Sequence, residues 1–308
     1  MDSPTQVPHG FSVRYRLGSG QTSNVWLALH ASLGNVALKL PRPEVQDKPV
    51  LRRMFENEVQ ITLSLRHPNI VAGYAGMPTG PGAYLALEYC AGGTLDQRLL
   101  EKRVGTFERA ALLVADVAAG LEYTHGQQVL HRDVKPANVF LTEDGTAKLG
   151  DFGTGCYMTD ENADRVGTAF YMAPEIFMGQ AASTASDVYS LGILAYEVLT
   201  GQRPFLGETY EQVMHAHTTS LPRPIEYYRS DVPRGVQSVI SRAMSREAAR
   251  RYGSVREFRL AFEREAGLAE LKQQVETGRA SRRVSDTAGQ RSSKEGRRGL
   301  FAWLRRRR

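Results

Sequence analysis

The sequence predicts an α+β protein of two lobes: a small β-rich lobe with one main helix over residues 11–88, and a larger, mostly helical lobe over 92–266. Three observations predict it. Apolar residues alternate with polar ones early in the chain and recur at helical spacing later, and strands segregated from helices along a chain define this class. The chain has 308 residues and 42% apolar content, enough for two lobes sharing a large core. Between the two regimes, the apolar run Ala83 to Leu87 ends in Glu88-Tyr89-Cys90-Ala91-Gly92-Gly93-Thr94-Leu95. A strand running into glycines and then a capped helix reads as a hinge.

Phe11, Val13, Tyr15 and Leu17 alternate with polar residues, as do Val25, Leu27 and Leu29, giving two strands of a hairpin. Between them lies Gly18-Ser19-Gly20-Gln21-Thr22-Ser23-Asn24. Glycines let backbone amides approach phosphate oxygens, although any hairpin turn also favours them. The next strand, Asn35 to Leu40, carries Lys39 among apolar residues, where a buried ammonium needs a partner. A helix follows with Val59 and Leu63 on one face. Glu56 and Glu58 cannot both face the same way on it. Phe107 to Gly126 has Leu112, Leu113, Val117 and Leu121 at helical spacing. The short runs Val139 to Leu141 and Ala147 to Leu149 flank the turn Glu143-Asp144-Gly145 as a two-strand ribbon. Ser186 to Gly192 opens an apolar helix, and segments around 207–217, 234–244 and 254–266 complete the helical lobe.

The chemistry concentrates in His131-Arg132-Asp133-Val134-Lys135-Pro136-Ala137-Asn138, followed thirteen residues after Asn138 by Asp151-Phe152-Gly153. One carboxylate, one ammonium and one amide in a short loop, plus a second carboxylate, suit phosphoryl transfer. Asp133 would orient and deprotonate an attacking hydroxyl, Lys135 would neutralise the moving phosphoryl group, and Asn138 and Asp151 would hold a metal. These residues resemble the catalytic loop and metal-binding motif of the eukaryotic-like (Hanks-type) serine/threonine protein kinases, and the chain is identified as a member of the bacterial branch of that family.

The resemblance covers roughly residues 11–265 and implies the bilobal protein kinase fold. It implies ATP as phosphate donor, Mg2+ (with Mn2+ as an alternative ion), protein substrates phosphorylated on serine or threonine, autophosphorylation and a signalling role. By the same resemblance Gly18, Ser19 and Gly20 cover the phosphates, and Lys39 pairs with the α- and β-phosphates and with Glu58. Leu87 guards the back of the adenine pocket, and the backbone at Glu88 and Cys90 bonds the adenine edge. Val25 and Ala37 lie above the ring and Phe140 below. Thr168 bonds Asp133 and Lys135, Asp187 anchors the catalytic-loop backbone, and Glu175 pairs with Arg251, with Arg250 as the alternative. Arg132 beside the catalytic carboxylate implies an activation loop read through a phosphate, with Thr159 the nearest acceptor and Thr154 a weaker one; Asp160, Glu161 and Asp164 could partly replace that phosphate. The sequence departs from the family pattern at Ser23, where a third glycine is usual. A nucleotide-binding pseudokinase and a small-molecule phosphotransferase are the competing readings.

Residues 1–10 read as an N-terminal extension and 267–308 as a basic tail whose composition cannot build a packed core. The net charge of +6 is uneven: residues 279–308 hold eleven Arg or Lys against Asp286 and Glu295, or +9, which leaves −3 on residues 1–278. The tail ends in Leu300-Phe301-Ala302-Trp303-Leu304 and four arginines, a combination suited to an anionic membrane surface or another polyanion. Two cysteines cannot form a disulfide framework, no signal peptide is visible at Met1, and no apolar run approaches membrane-spanning length. The expected location is the cytoplasm, with peripheral contact at the inner face of the membrane.

Overall fold

The computed structural model describes residues 4, 6–45, 47–103, 105–157 and 169–269. The chain divides into a compact unit, Met1–Ala266, and a second unit, Gly267–Arg308, most of which lies outside the described residues. The first unit opens with strands β1 (Phe11–Ser19), β2 (Ser23–His30) and β3 (Gly34–Pro41), then helix α1 (Pro49–Ser64) and strands β4 (Gly73–Met77) and β5 (Tyr84–Glu88). They form one antiparallel sheet in the order β1-β2-β3-β5-β4.

Strand register fixes which residues share a face. Val25 pairs with Lys39, Leu27 with Ala37, and Ala37 with Leu87, so these side chains face one way. The alternate positions Trp26, Ala28, Val36, Leu38, Leu40 and Ala86 form an apolar cluster on the other face. Helix α1 starts at Pro49 and buries Met54, Phe55, Glu58, Val59, Ile61 and Thr62, a stripe recurring every three to four residues. Phe55 and Val59 pack with Leu85 and Val45, which clamps the helix to β5.

After the hinge come α2 (Leu95–Leu100), α3 (Phe107–Gly126), β6 (Val129–Leu130), β7 (Val139–Leu141), β8 (Ala147–Leu149) and β9 (Cys156–Tyr157). Helices α4 (Pro174–Phe177), α5 (Thr184–Thr200), α6 (Tyr210–Thr219), α7 (Arg234–Ala243) and α8 (Val255–Glu265) follow. Thr94 and Gln97 form a reciprocal capping box that starts α2 immediately after the glycines of the hinge. Every residue of α5 from Ser186 to Leu199 is buried, so this helix is the axis of the lobe. It starts on the Ser183–Ser186 capping box and stops at Gly201, whose φ of +69° is left-handed. Gly192 lets α7 approach closely, because a Cβ there would lie 2.9 Å from Ala243 Cβ. Among the described residues no helix is long and apolar enough to cross a membrane.

Candidate active site

The loop between β6 and β7 is held from below by the start of α5. Asp187, 2% exposed, accepts the backbone N–H groups of His131 and Arg132, each at 2.9 Å, and lies 2.8 Å from His125 Nε2. Burial works against its carboxylate, yet His125 and these amides outweigh it and hold the pKa below the usual range. This anchoring also stabilises backbone strain: Arg132 has φ +68°, a region L-residues avoid. Arg132 Nε is buried with no hydrogen-bond partner among the described residues.

Above the anchor, Lys135 Nζ donates to Asp133 Oδ2 at 2.6 Å. Asn138 Nδ2 donates to the same oxygen at 3.0 Å and to the Asp133 carbonyl at 2.9 Å. With its amide nitrogen committed there, Asn138 has its carboxamide oxygen to offer a cation. The 3-10 turn Pro136–Asn138 feeds directly into β7, so these three side chains are tied to the ribbon that also leads to Asp151.

Asp151 follows β8 with φ +65°. Its neighbour Phe152 is fully buried with Ile61, Leu65, Ile70 and Val129, a cluster joining α1 to the lower lobe. Asp151 thereby comes 3.3 Å from Lys39 Nζ, which also makes a direct ion pair with Glu58. Burial disfavours the Lys39 ammonium, but the Asp151 and Glu58 carboxylates outweigh it and raise its pKa, so it stays charged. Lys39 in turn holds Asp151 below the ordinary carboxylate range against the effect of burial. The Asp151 side chain remains 44% exposed toward the cleft, while Glu58 is 1% exposed. Glu56, by contrast, faces out toward Arg52 at 3.8 Å.

A cleft of about 590 Å³ between sheet and lower lobe gathers most of the residues singled out by sequence. Gly18, Ser19, Gly20, Val25, Ala37 and Lys39 line its roof. Leu87, Glu88 and Cys90 line its back, and Asp133, Lys135, Phe140 and Asp151 its floor, with Glu58 behind Lys39. Asn138 joins through Asp133. The N–H of Glu88 donates to the Ala72 carbonyl at 2.8 Å. Thr168 lies outside the described residues, as do Thr159, Asp160, Glu161 and Asp164. The hydroxyl of Thr154 donates to the His131 carbonyl at 3.3 Å.

Sequence reasoning missed Leu17 and Val71, which also line the cleft, and the Glu88 side chain. That carboxylate accepts from Ala72 N–H at 3.2 Å and pairs with Lys148 of β8 at 3.0 Å, tying the hinge to the lower lobe.

A family profile described as the protein kinase domain matches residues 11–259. The chain belongs to the protein kinase family. It is 34% identical over 268 residues to the serine/threonine-protein kinase PknB of Mycolicibacterium smegmatis, covering 82% of this chain and 43% of that protein. It is 33% identical over 270 residues to PknB of Mycobacterium tuberculosis, covering 84% and 43%. To a probable serine/threonine-protein kinase of Streptomyces coelicolor it is 32% identical over 277 residues, covering 85% and 41%. The chain thus spans less than half the length of these relatives. Membership of the kinase family implies use of ATP and a divalent metal.

The kinase domain's lower lobe is closed by Glu175, just inside α4, and Arg251. The guanidinium donates to both carboxylate oxygens at 2.7 Å and, with its remaining N–H groups, to the carbonyls of Ser245, Ala185 and Arg246. Arg250 instead pairs with Glu247 on the surface, which decides between the two candidate arginines. The donor set at the cleft also fits a hard cation. An ionised carboxylate at Asp151 and an amide oxygen at Asn138 are oxygen ligands of the kind magnesium prefers, and two protein donors leave positions for phosphate and water. Among the described residues no group of three or more His, Cys, Asp or Glu forms a self-sufficient metal cage.

Proposed function

We propose that this chain is an ATP-dependent protein kinase that phosphorylates serine and threonine, and that the cleft between its lobes is the catalytic site. The observation that carries the reading is the convergence of Lys39 from β3, Asp133 from the catalytic loop and Asp151 from the end of β8 on one cleft. Leu87, Val25, Ala37 and Phe140 take the adenine ring, with the Glu88 carbonyl and Cys90 N–H at its edge. Lys39, kept charged by Glu58 and Asp151, neutralises the α- and β-phosphates. Asp133 orients the substrate hydroxyl and accepts its proton as the oxygen attacks the γ-phosphorus and the bond to the β-phosphate oxygen breaks. Lys135 then stands beside the transferring group, and charge stabilisation there supplies much of the rate. Asn138 and Asp151 would hold Mg2+, or Mn2+ in its place, and the ion would supply positive charge to neutralise the phosphates.

The Asp-Val-Lys-Pro-Ala-Asn spacing after Arg132 supports serine and threonine as acceptors, and residues 11–266 are taken as the catalytic unit. The experiment is transfer of labelled phosphate from ATP to protein by the full chain, followed by acid hydrolysis. Phosphoserine and phosphothreonine are expected, and phosphotyrosine alone would refute the assignment. The +9 charge of residues 279–308 and the aromatic pair Phe301 and Trp303 support a cytoplasmic protein held at the anionic inner face of the membrane. Deleting 279–308 should then abolish co-sedimentation with phosphatidylglycerol vesicles; unchanged sedimentation would remove that attachment.

A further inference from the structure

Helix α5 carries a carboxylate near its C-terminal end that the fold fills from within. The Glu197 side chain is 9% exposed; the Tyr171 hydroxyl donates to its Oε2, and Arg203 Nε donates to its Oε1 at 3.2 Å. The turn after α5 makes this contact. Gly201 ends the helix, and the Gln202 N–H donates to the Thr200 hydroxyl at 3.1 Å, so the chain doubles back and sets Arg203 beside Glu197. The guanidinium lies over the Phe170 ring, 4.6 Å from its centroid, and the Arg203 side chain is 34% exposed.

The contact lies at the lip of the cleft. Phe170 and Tyr171 belong to the 3-10 turn Ala169–Tyr171, which precedes α4. Asp96 stands in the first turn of α2, between Thr94 and Gln97, which line the cleft. Burial pushes the Glu197 carboxyl above the usual carboxylate range and the nearby Asp96 charge adds to this, while Tyr171 and Arg203 oppose it. Two carboxylates therefore act on one point, and a single guanidinium answers them. A protein that brings its hydroxyl to Asp133 on the cleft floor must lay its neighbouring residues across the lip. An acidic recess there would draw an arginine or lysine of the substrate. Arg203 already supplies that cation, held by an aromatic face and tethered to the chain, so it pays none of the entropy of association that an incoming side chain would.

We infer that Arg203 is a specificity-determining residue: it occupies the acidic recess at Glu197 and Asp96 and so denies it to a basic side chain of the protein substrate. The inference rests on the kinase reading above and deepens it by naming the substrate class, segments with a neutral or acidic residue where they cross this lip. A substrate arginine arriving there has to displace Arg203 or lie against its charge, and either one discriminates against it.

The test is phosphate transfer by the full chain to a panel of peptides with one serine or threonine, in which arginine replaces alanine at each flanking position in turn. For each enzyme the readout is kcat/KM for the arginine peptide divided by that for its alanine parent, a ratio that a partly unfolded preparation does not alter. Arg203→Ala should raise this ratio roughly tenfold at one position, the gain of one hydrogen-bonded charge pair, where arginine brings the wild type no advantage. Arg203→Gln, which keeps a side chain over Phe170, should move the ratio in the same direction, and Glu197→Gln added to Arg203→Ala should remove the gain. Ratios within twofold of wild type at every position in both single variants would overturn the inference, as would a gain that survives Glu197→Gln. A wild-type chain that transferred phosphate to no peptide or protein would instead defeat the kinase reading, and this inference with it.

Discussion

Asp133→Asn should lower the turnover number for phosphate transfer by about a thousandfold, within the range expected for loss of a positioned general base, while the KM for ATP stays close to wild type. The reason is the division of labour in the cleft. The Asp133 side chain accepts from Lys135 and Asn138 of its own loop, whereas the proposed nucleotide contacts come from the glycine loop and the hinge. Asparagine is the same size and can still accept from both, so the loop keeps its shape while the proton acceptor is lost. A fall in ATP affinity matching the fall in turnover would mean that Asp133 acts in binding, and turnover within tenfold of wild type would remove its assignment as base. Steady-state kinetics at varied ATP separate these outcomes.

The second large effect is on stability. Arg251→Met should destabilise the domain by about 3–5 kcal/mol, because it leaves the Glu175 carboxylate buried without its charge partner. The Arg251 side chain is fully buried and Glu175 is 8% exposed, so water cannot replace the lost contacts. All five guanidinium N–H groups have acceptors, and the guanidinium also stacks over the Tyr189 ring at 4.8 Å. For a domain of this size the loss corresponds to a fall in Tm of roughly 10 °C. Arg251→Lys should recover little, since an ammonium cannot present the same planar fork. Glu175→Gln combined with Arg251→Met should recover part of the loss by removing the stranded charge. Scanning calorimetry measures all three, and an Arg251→Met melt within 2 °C of wild type, when roughly 10 °C is expected, would show that the pair contributes nothing.

The legible parts of the sequence were those with strong local pattern. Helix α3 spans Phe107–Gly126 and the ribbon strands span Val139–Leu141 and Ala147–Leu149, as their apolar spacing indicates. The catalytic loop was legible because its residues are contiguous, so their chemistry survives without knowledge of the fold. Strand β4 was not. Its sequence Gly73-Tyr74-Ala75-Gly76-Met77 has no apolar alternation, since α1 packs so closely at Gly73 and Gly76 that a side chain is excluded at those two positions. A Cβ on Gly76 would lie 2.9 Å from Val59 Cγ1, and one on Gly73 3.0 Å from Thr62 Cγ2. The requirement comes from another element and leaves only missing bulk as its trace.

The Lys39–Glu58 pair was read from family spacing, and no local pattern could have selected Glu58 over Glu56 without it. Only the packing of α1 on β5 turns Glu58 inward. The Glu88–Lys148 bridge joins residues sixty positions apart, one at the hinge and one in a three-residue strand. Neither flanking sequence announces the other. Ser23 was visible as a departure from the glycine pattern, but its burial and orphan hydroxyl are properties of the folded hairpin.

The account stands most directly on labelled-phosphate transfer by the full wild-type chain, run with magnesium present and with the metal chelated, alongside Lys39→Met. It predicts label on serine and threonine only when the metal is present, and none above background for the variant. Label transferred equally after chelation, or equally by Lys39→Met, would contradict the claim that Lys39, Asp133 and Asp151 act together on one metal-bound nucleotide.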